Sequence, residues 1–276
     1  GLAAGIYDTE LLLDCGTVVC NPGSVPVRLV VRNSSGAAPR IASGGVVNAA
    51  SFQPGISSGA WMSIFGSNLS SSTRPWRPAD FQGNLMPRSL DGVQVLVNGK
   101  SAAVQFIGPG QVNFQAPSNL AAGWVPVELR SAAGTDTAYV FSSRESPGFF
   151  MFNSEGHVAA LHPDGTPVGD AGGAASYGAR PAEVGEVLAI YGTGFGPTTP
   201  GVPAGEVFTG VATLVSRPNL SVTIGGQAAE VRFAGLTGAG LNQINVAVPA
   251  LAPGTYEVVA DLAGSPTPFF GKVPVR

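Results

Sequence analysis

The most constraining feature of this 276-residue sequence is that it contains the same four segments twice, in the same order. The matched pairs lie at offsets of 126 to 132 residues: 62–70 with 188–196, 93–106 with 220–233, 111–117 with 243–249, and 120–129 with 251–260. Slowly drifting offsets indicate two copies of one domain that differ in loop length. The chain is therefore expected to fold as a tandem repeat.

Each repeated segment has the pattern of a β-strand or a hairpin. In the first copy, apolar residues alternate along VQVLV (93–97) and lead into Asn98-Gly99, and the second copy has Gly225-Gly226 at the matching place. Asn and Gly tolerate the positive φ that a type I′ hairpin turn requires. No window longer than about ten residues has a helical period. The sequence predicts an all-β fold of tandem sandwiches.

Three glycines at alternate positions, Gly192, Gly194 and Gly196, follow an apolar run in AIYGTGFGPTTPG. A phosphate-binding glycine loop needs a helix behind it, whose N-terminal amides hold the anion. The next residues, PTTPGVPAGE, contain three prolines, and the first copy has GSNL at the equivalent place. The glycines are therefore predicted to serve a bend at the end of a strand.

Composition excludes several classes of function. Only 11% of the residues are charged, against about 25% in an average soluble domain. A surface so poor in charge resists self-association weakly. The net charge of −3 argues against a nucleic-acid partner, because no basic stripe is present. No run of about 18 apolar residues occurs, so no membrane span is predicted.

The segments GEVLAIYGTGFGP, VTIGGQAAEVRFAG, LNQINVAVP and LAPGTYEVV together resemble the IPT/TIG immunoglobulin-like fold of bacterial surface proteins. GGVVNAASFQPGISSGAWMSIFGSNL, QVNFQAP and SPGFFMFNSEGHVAALHPDGTPV further resemble a C-terminal region of secreted Acidobacteria proteins of the Solibacter type. The resemblance covers roughly residues 44 to 276. It implies secretion and tandem immunoglobulin-like sandwiches, at 45–148 and 181–276, joined by a connecting hairpin or linker at 149–180. It supplies no catalytic residues.

Residues 1–40 differ from the repeat and are similar to the last two strands of a BACON-type β-sandwich domain. Two strands alone are marginal in water, so the apolar residues of this hairpin need a partner surface. The predicted assembly residues are Leu11, Leu13, Val27, Leu29 and Val31. Three arrangements supply that surface: packing on the chain's own first sandwich, strand addition to a neighbouring subunit, or a preceding domain that has been clipped off. The start at Gly1, without Met or signal sequence, indicates a processed or excised product.

The chain has two cysteines, Cys15 and Cys20, which flank the tetrapeptide GTVV between two strand-like runs. A metal or redox site needs tighter spacing and more ligands. A disulfide that closes the tip of the hairpin is predicted instead, and it implies an extracellular or cell-surface location.

Residues that could carry chemistry are few. His157 and His162 are predicted to be neutral surface histidines on opposite faces of a strand, which cannot chelate a metal together. GISSG (55–59) fits the hydrolase elbow by chance, because a strand and not a helix follows it. Asp164 and Asp170, in HPDGTPVGD, are interpreted as part of a turn, with calcium at a domain junction left open.

The loop RPWRPADF (74–81) carries the candidate ligand residues Arg74, Trp76 and Arg77. Trp and Arg are frequent at binding hot spots, and an exposed Trp ring can stack on a sugar. The alternative is a loop anchor packed on its own sandwich. Trp61 and Trp124, at strand positions, are predicted to lie in the core.

The sequence predicts no enzyme, cofactor or metal site, because no acid–base pair or nucleophile–base arrangement can be placed. The first hypothesis is an extracellular structural protein that polymerises with itself through the N-terminal hairpin, as a surface fibre or layer. The alternative is a polysaccharide- or envelope-binding accessory module at the C-terminus of a larger secreted protein.

Overall fold

A computed structural model describes residues 5–12, 24–31, 38–170, 178–262, 264–268 and 271–276. The chain divides into two compact units, Gly1–Ala37 and Ala38–Arg276. Within the described ranges the regular structure is strands plus short 3₁₀ turns, of which Pro78–Asp80 and Arg217–Asn219 are two. No helix in these ranges is long and apolar enough to span a membrane.

The smaller unit contains the predicted hairpin, which is confirmed. Strands β1 (Gly5–Leu12) and β2 (Ser24–Val31) pair antiparallel along their whole lengths, with Tyr7 opposite Leu29 and an ion pair between Asp8 and Arg28. Because side chains alternate along a strand, Tyr7, Val27 and Leu29 share one face, and Leu29 is 48% exposed.

The predicted assembly residues divide between described and undescribed parts of the hairpin. Val27 and Leu29 lie on the face that Tyr7 shares, and the backbones of Leu11 and Val31 lie in the two strands. Leu13, Cys15 and Cys20 lie outside the described residues. The disulfide therefore stays a prediction.

The first half of the larger unit is a sandwich of two antiparallel sheets, ordered β3-β4-β9-β8-β5 and β11-β10-β6-β7. The strands are β3 (Arg40–Asn48), β4 (Trp61–Ser67), β5 (Arg74–Pro75), β6 (Gln94–Val97), β7 (Lys100–Ser101), β8 (Ala103–Ile107), β9 (Gln111–Gln115), β10 (Gly123–Ser131) and β11 (Gly134–Ser142). The alternating apolar residues of both sheets point inward, and they bury Ile64, Val95, Phe114 and Val127 in one core.

The second half is a sandwich ordered β12-β14-β19-β18-β17-β20-β21, with β13 on β14, β16 on β18, β15 on β16 and β22 on β20. The strands are β12 (Gly148–Phe149), β13 (Ala160–Leu161), β14 (Val187–Thr193), β15 (Thr198–Thr199), β16 (Thr209–Leu214), β17 (Leu220–Ile224), β18 (Gln227–Gly238), β19 (Leu241–Ala247), β20 (Gly254–Leu262), β21 (Ser265–Pro266) and β22 (Lys272–Val275). It encloses a second core around Ile190, Val222, Val246 and Val258.

The strand registers repeat at the offsets seen in the sequence. Ile64 of β4 faces Val112 of β9, and Ile190 of β14 faces Ile244 of β19. The bulge between Val104 and Phe106 recurs between Val231 and Phe233. The predicted fold class, tandem immunoglobulin-like β-sandwiches with an N-terminal β-hairpin, is confirmed.

The predicted hairpin turns and strand-end bend are present in both copies. Asn98 and Gly99 have φ values of 49° and 75°, and Gly225 and Gly226 have 60° and 76°, as a type I′ turn requires. At the bend, Asn68 and Gly194 occupy equivalent positions with φ of 54° and 83°. The glycine run therefore shapes the backbone.

Gly66 and Gly192, two residues before these bend positions, allow a close backbone approach. A Cβ atom at Gly66 would overlap the carbonyl oxygen of Arg40, and one at Gly192 would overlap that of Gly148. Each would also lie 2.9 Å from the apolar side chain three residues on, Leu69 or Phe195. Only glycine fits at the two positions.

We predict that Gly66→Ala and Gly192→Ala each lower the free energy of unfolding by about 1–3 kcal/mol or more, because the methyl group must push two backbones apart. Gly201→Ala is the matched control, since it has open space around its Cβ position. Urea unfolding at neutral pH measures all three. Equal midpoints for the three variants would contradict the close-approach account.

Candidate functional site

The two sandwiches meet along a hydrogen-bonded seam that is centred on Trp61. Its backbone N–H donates to Thr193 Oγ1 and its indole Nε1–H donates to the carbonyl of Ala239, both at 2.9 Å. The Gly205 N–H donates to Gln115 Oε1 at 2.7 Å, in a buried contact. Residues of the second sandwich are thus held at fixed positions against the first.

Two loops, one from each sandwich, extend this seam. The Met86 N–H donates to the Gly205 carbonyl at 3.0 Å, and the Val207 N–H donates to the Asn84 carbonyl at 2.8 Å. These bonds carry Met86, Val207 and the neighbouring Phe208 to one wall of an open groove between the sandwiches.

The groove has a volume of about 660 Å³, within the range of small-ligand sites. Aromatic rings from separate segments line it: Phe52, Trp61, Trp76, Phe81, Phe150 and Phe208. Trp76 stands edge-on to Trp61, with ring centroids 5.7 Å apart, and lies 5.0 Å from Phe81. The lining among the described residues includes no charged side chain.

A row of amides forms the polar part of the groove on the outer face of the five-stranded sheet. Asn113 Oδ1 accepts hydrogen bonds from Ser63 Oγ at 3.0 Å and Gln111 Nε2 at 2.8 Å. Asn113 Nδ2 donates to Gln105 Oε1 at 3.4 Å. Within the described part of the chain, the Gln105 amide nitrogen and the Gln111 amide oxygen make no side-chain hydrogen bond. The Gln105 amide nitrogen and the Gln111 amide oxygen therefore remain for a ligand.

A comparison of the two copies shows which groove residues are part of the repeated fold and which are not. Gln243 Nε2 donates to Asn245 Oδ1 at 2.8 Å, which repeats the Gln111–Asn113 bond. The position of Trp61, however, holds Val187 in the second copy, and that of Gln105 holds Arg232. The amide pair is thus part of the repeated sheet, whereas Trp61 and Gln105 are present in the first copy and replaced in the second.

Arg74, Trp76 and Arg77 of the predicted ligand loop have different surroundings. Trp76 is half-buried against the first core and lines the groove. The Arg74 guanidinium is bound by Asp80 at 2.8 Å and Asp91 at 2.9 Å, and these hydrogen bonds lower the pKa of both carboxyl groups. Arg77 is exposed and does not line the groove. Of the three residues, only Trp76 reaches the groove.

The prediction of surface histidines is wrong, because the segment that carries them packs onto the second core. His157 and His162 are both 3% exposed. His157 Nε2 lies 3.1 Å from Asp170 Oδ2, and His162 Nδ1 lies 2.8 Å from Glu186 Oε1. Both rings are thus occupied by protein partners.

The neighbouring carboxylates have structural partners as well. Asp164 Oδ1 accepts from the hydroxyl and the backbone N–H of Thr166, which lowers the pKa of Asp164 to about 2 and forms the predicted turn. Burial alone would raise the pKa of Glu186, but hydrogen bonds from Glu183 N–H and His162, together with the charge of Arg180, lower it. No described group of three or more His, Cys, Asp or Glu side chains could hold a metal ion.

The prediction of a core position is wrong for Trp61, which is half-buried in the groove wall, and for Trp124, which is 70% exposed. Trp124 faces Phe141 across β10 and β11, with ring centroids 5.8 Å apart, on the outer face of the four-stranded sheet. Alternation along β10 predicts only that Trp124 lies on the same face as Pro126 and Glu128. The structure shows that this face points away from the core. Trp124 does not line the groove.

Sequence reasoning missed most of the aromatic lining, because most of its members are far apart in the chain. The missed residues are Phe52, Phe81, Phe150 and Phe208. One signal was available for Trp61: the repeat alignment sets it against Val187, so the two copies differ at that position.

Comparisons with known proteins give distant structural likenesses. No family model matches the chain, and no curated protein matches it. A surface glycan-binding protein, SGBP-B of a Bacteroides ovatus mixed-linkage glucan utilization locus, matches at 15% identity and a TM-score of 0.37, over 100% of this chain and 54% of that one. SGBP-B from a Bacteroides uniformis xyloglucan utilization locus matches at 14% identity and a TM-score of 0.25, over 86% and 48%.

Domains 5–6 of the S-layer protein SbsC match at 11% identity and a TM-score of 0.27, over 86% of this chain and 98% of that one. This chain spans about half the length of the two SGBP-B proteins. With TM-scores below 0.5, none of these likenesses bears on the function of the chain.

Proposed function

We propose that this chain is an extracellular, non-enzymatic binding module that holds a neutral polysaccharide in the groove between its two sandwiches. The observation that carries the proposal is the lining of that groove, which combines aromatic rings with uncharged amides. Membership of the IPT/TIG-type secreted family, with its domain boundaries at 45–148, 149–180 and 181–276, is part of the same proposal.

A pyranose ring has an apolar face of C–H groups and a rim of hydroxyl groups, and the groove offers a partner to each. Aromatic rings stack on apolar faces, and Trp61 and Trp76 are both only half-buried in the groove wall. Gln105 Nε2 can donate to a hydroxyl, and Gln111 Oε1 can accept from one. A neutral sugar chain satisfies both surfaces.

The uncharged lining favours a neutral polymer over an anionic one. A carboxylated or sulfated sugar would lose hydration in the groove without gaining an opposite charge there. Hydrolysis of a glycosidic bond generally requires a pair of carboxyl groups beside it, and no carboxyl group lies among the described lining residues. Binding without cleavage is therefore the function that this lining supports.

We predict that the chain is retarded in affinity gel electrophoresis by at least one neutral polymer among mixed-linkage β-glucan, xyloglucan, galactomannan and starch, and not by polygalacturonate. Trp76→Ala and Phe208→Ala each remove one ring of the lining, one from each sandwich, and should abolish or strongly weaken the retardation. Thermal unfolding by circular dichroism verifies that each variant is folded.

Trp124→Ala is the matched control, since it removes an exposed aromatic ring outside the groove. It should migrate as the wild type does in every gel. Retardation by none of the neutral polymers, or retardation lost in Trp124→Ala and kept in the groove variants, would overturn the proposal.

A second candidate function is self-assembly through the N-terminal hairpin, with a second copy of the chain as partner. The specific observation is that β1 and β2 form a two-stranded sheet in a compact unit of their own, with Ile6 57% exposed. An edge strand of a sheet is a template to which a strand of another chain can be added.

We predict that the full chain sediments as concentration-dependent oligomers if the hairpin joins subunits, and that a variant lacking residues 1–37 sediments as a monomer with unchanged far-ultraviolet circular dichroism per residue. The reason is that both sandwich cores lie within residues 38–276. A full chain that stays monomeric at all concentrations would exclude this candidate and leave the groove proposal unaffected.

A further inference from the structure

Phe52 has a backbone conformation that its residue type strongly disfavours. Its φ is 54°, in the left-handed region. For a bulky side chain this region is a genuine outlier, whereas Asn, Asp and Gly adopt it far more readily. Such outliers persist where the surrounding structure fixes them, and they cluster at ligand sites.

Asn48 holds the loop in this shape. Its buried carboxamide oxygen accepts from the Ala50 N–H at 2.7 Å and the Ser51 N–H at 3.1 Å. Its backbone carbonyl accepts from the Phe52 N–H at 2.9 Å, and its backbone N–H donates to the Gln53 carbonyl at 3.0 Å. The loop geometry is thus set by Asn48, and the Phe side chain at position 52 plays no part in these bonds.

Packing does not explain the Phe52 side chain. The residue is 54% exposed, and its described aromatic neighbour is Phe65, at a centroid distance of 6.1 Å. A ring that stays half in water gains only part of the hydrophobic stabilisation of a buried one. Asn or Gly would therefore satisfy the turn with less strain and with little lost packing.

The Phe52 ring lines the groove beside Phe65. Phe65 lies on the same face of β4 as Trp61, four residues further on, which is about 14 Å along a strand. Gln111 faces Phe65 across the strand pair and Asn113 faces Ser63. The amide row thus runs between an aromatic cluster at Trp61 and a second aromatic group at Phe52 and Phe65.

We propose that Phe52 forms a second stacking subsite, which takes a separate pyranose ring of the same neutral polysaccharide. This proposal rests on the proposed function of the groove. The Trp61–Trp76 cluster binds one sugar unit, and the Phe52 ring stacks on a unit further along the polysaccharide. The amides bind hydroxyl groups between these two units. A bent, strained loop that presents an exposed ring is the arrangement such a subsite needs.

The test is Phe52→Asn, with affinity and stability measured on the same protein. Asn tolerates the left-handed conformation, so the thermal midpoint should stay equal or rise. Affinity for the neutral polymer that retards the wild type most should fall about two- to tenfold, the range expected for loss of one aromatic stacking contact. A disaccharide of the same sugar, too short to reach both clusters, should bind both proteins equally.

The outcomes separate the two proposals. If the wild type is retarded and Trp76→Ala is not, but Phe52→Asn keeps wild-type affinity for the polymer, the Phe52 subsite is overturned and the groove proposal stands. A marked fall in thermal midpoint for Phe52→Asn would also overturn the subsite, since it would assign the ring a packing role. Failure of the wild type to bind any neutral polymer would overturn both.

Discussion

The hydrogen bonds that Trp61 donates to Thr193 and Ala239 lie at the centre of the seam that holds the second sandwich against the first, and the groove depends on that seam. Two hinged sandwiches would present the same aromatic rings at changing distances. Gly240, next to Ala239, shows how closely the two backbones approach at the seam. A Cβ atom at Gly240 would lie 2.7 Å from the Gly59 carbonyl oxygen. A preorganised groove loses less conformational entropy when a flexible sugar chain binds. One indole side chain therefore belongs both to the seam and to the wall of the groove.

The features that could be predicted from the sequence follow local rules. Alternation of apolar residues gave the strands, and Asn98-Gly99 and Gly225-Gly226 gave the type I′ turns, because few other residues accept those backbone angles. The repeat predicted that the same registers would occur twice, and Ile64 with Val112 and Ile190 with Ile244 confirm it. Within the candidate site, Trp76 was the one lining residue identified in advance.

The rest depends on contacts between segments that no local pattern connects. Phe52, Phe150 and Phe208 come from three loops that meet only after both sandwiches have docked. His162 is buried with a hydrogen bond to Glu186, 24 residues away in the sequence, and its burial was missed for the same reason. The predicted core position of Trp124 was wrong for a different reason. Strand alternation shows which residues share a face, but the way the two sheets pack decides which face meets the core.

The most direct test of the central claim uses the three tryptophans, Trp61, Trp76 and Trp124, as reporters of where a sugar binds. Their indole N–H signals can be followed in ¹⁵N-labelled protein by nuclear magnetic resonance, during titration with a hexasaccharide of the retained neutral polymer. A sugar chain in the groove should shift the signals of Trp61 and Trp76 together, at one dissociation constant, and leave that of Trp124 unmoved. Movement of the Trp124 signal alone, or of none of the three at saturating sugar, would contradict the account.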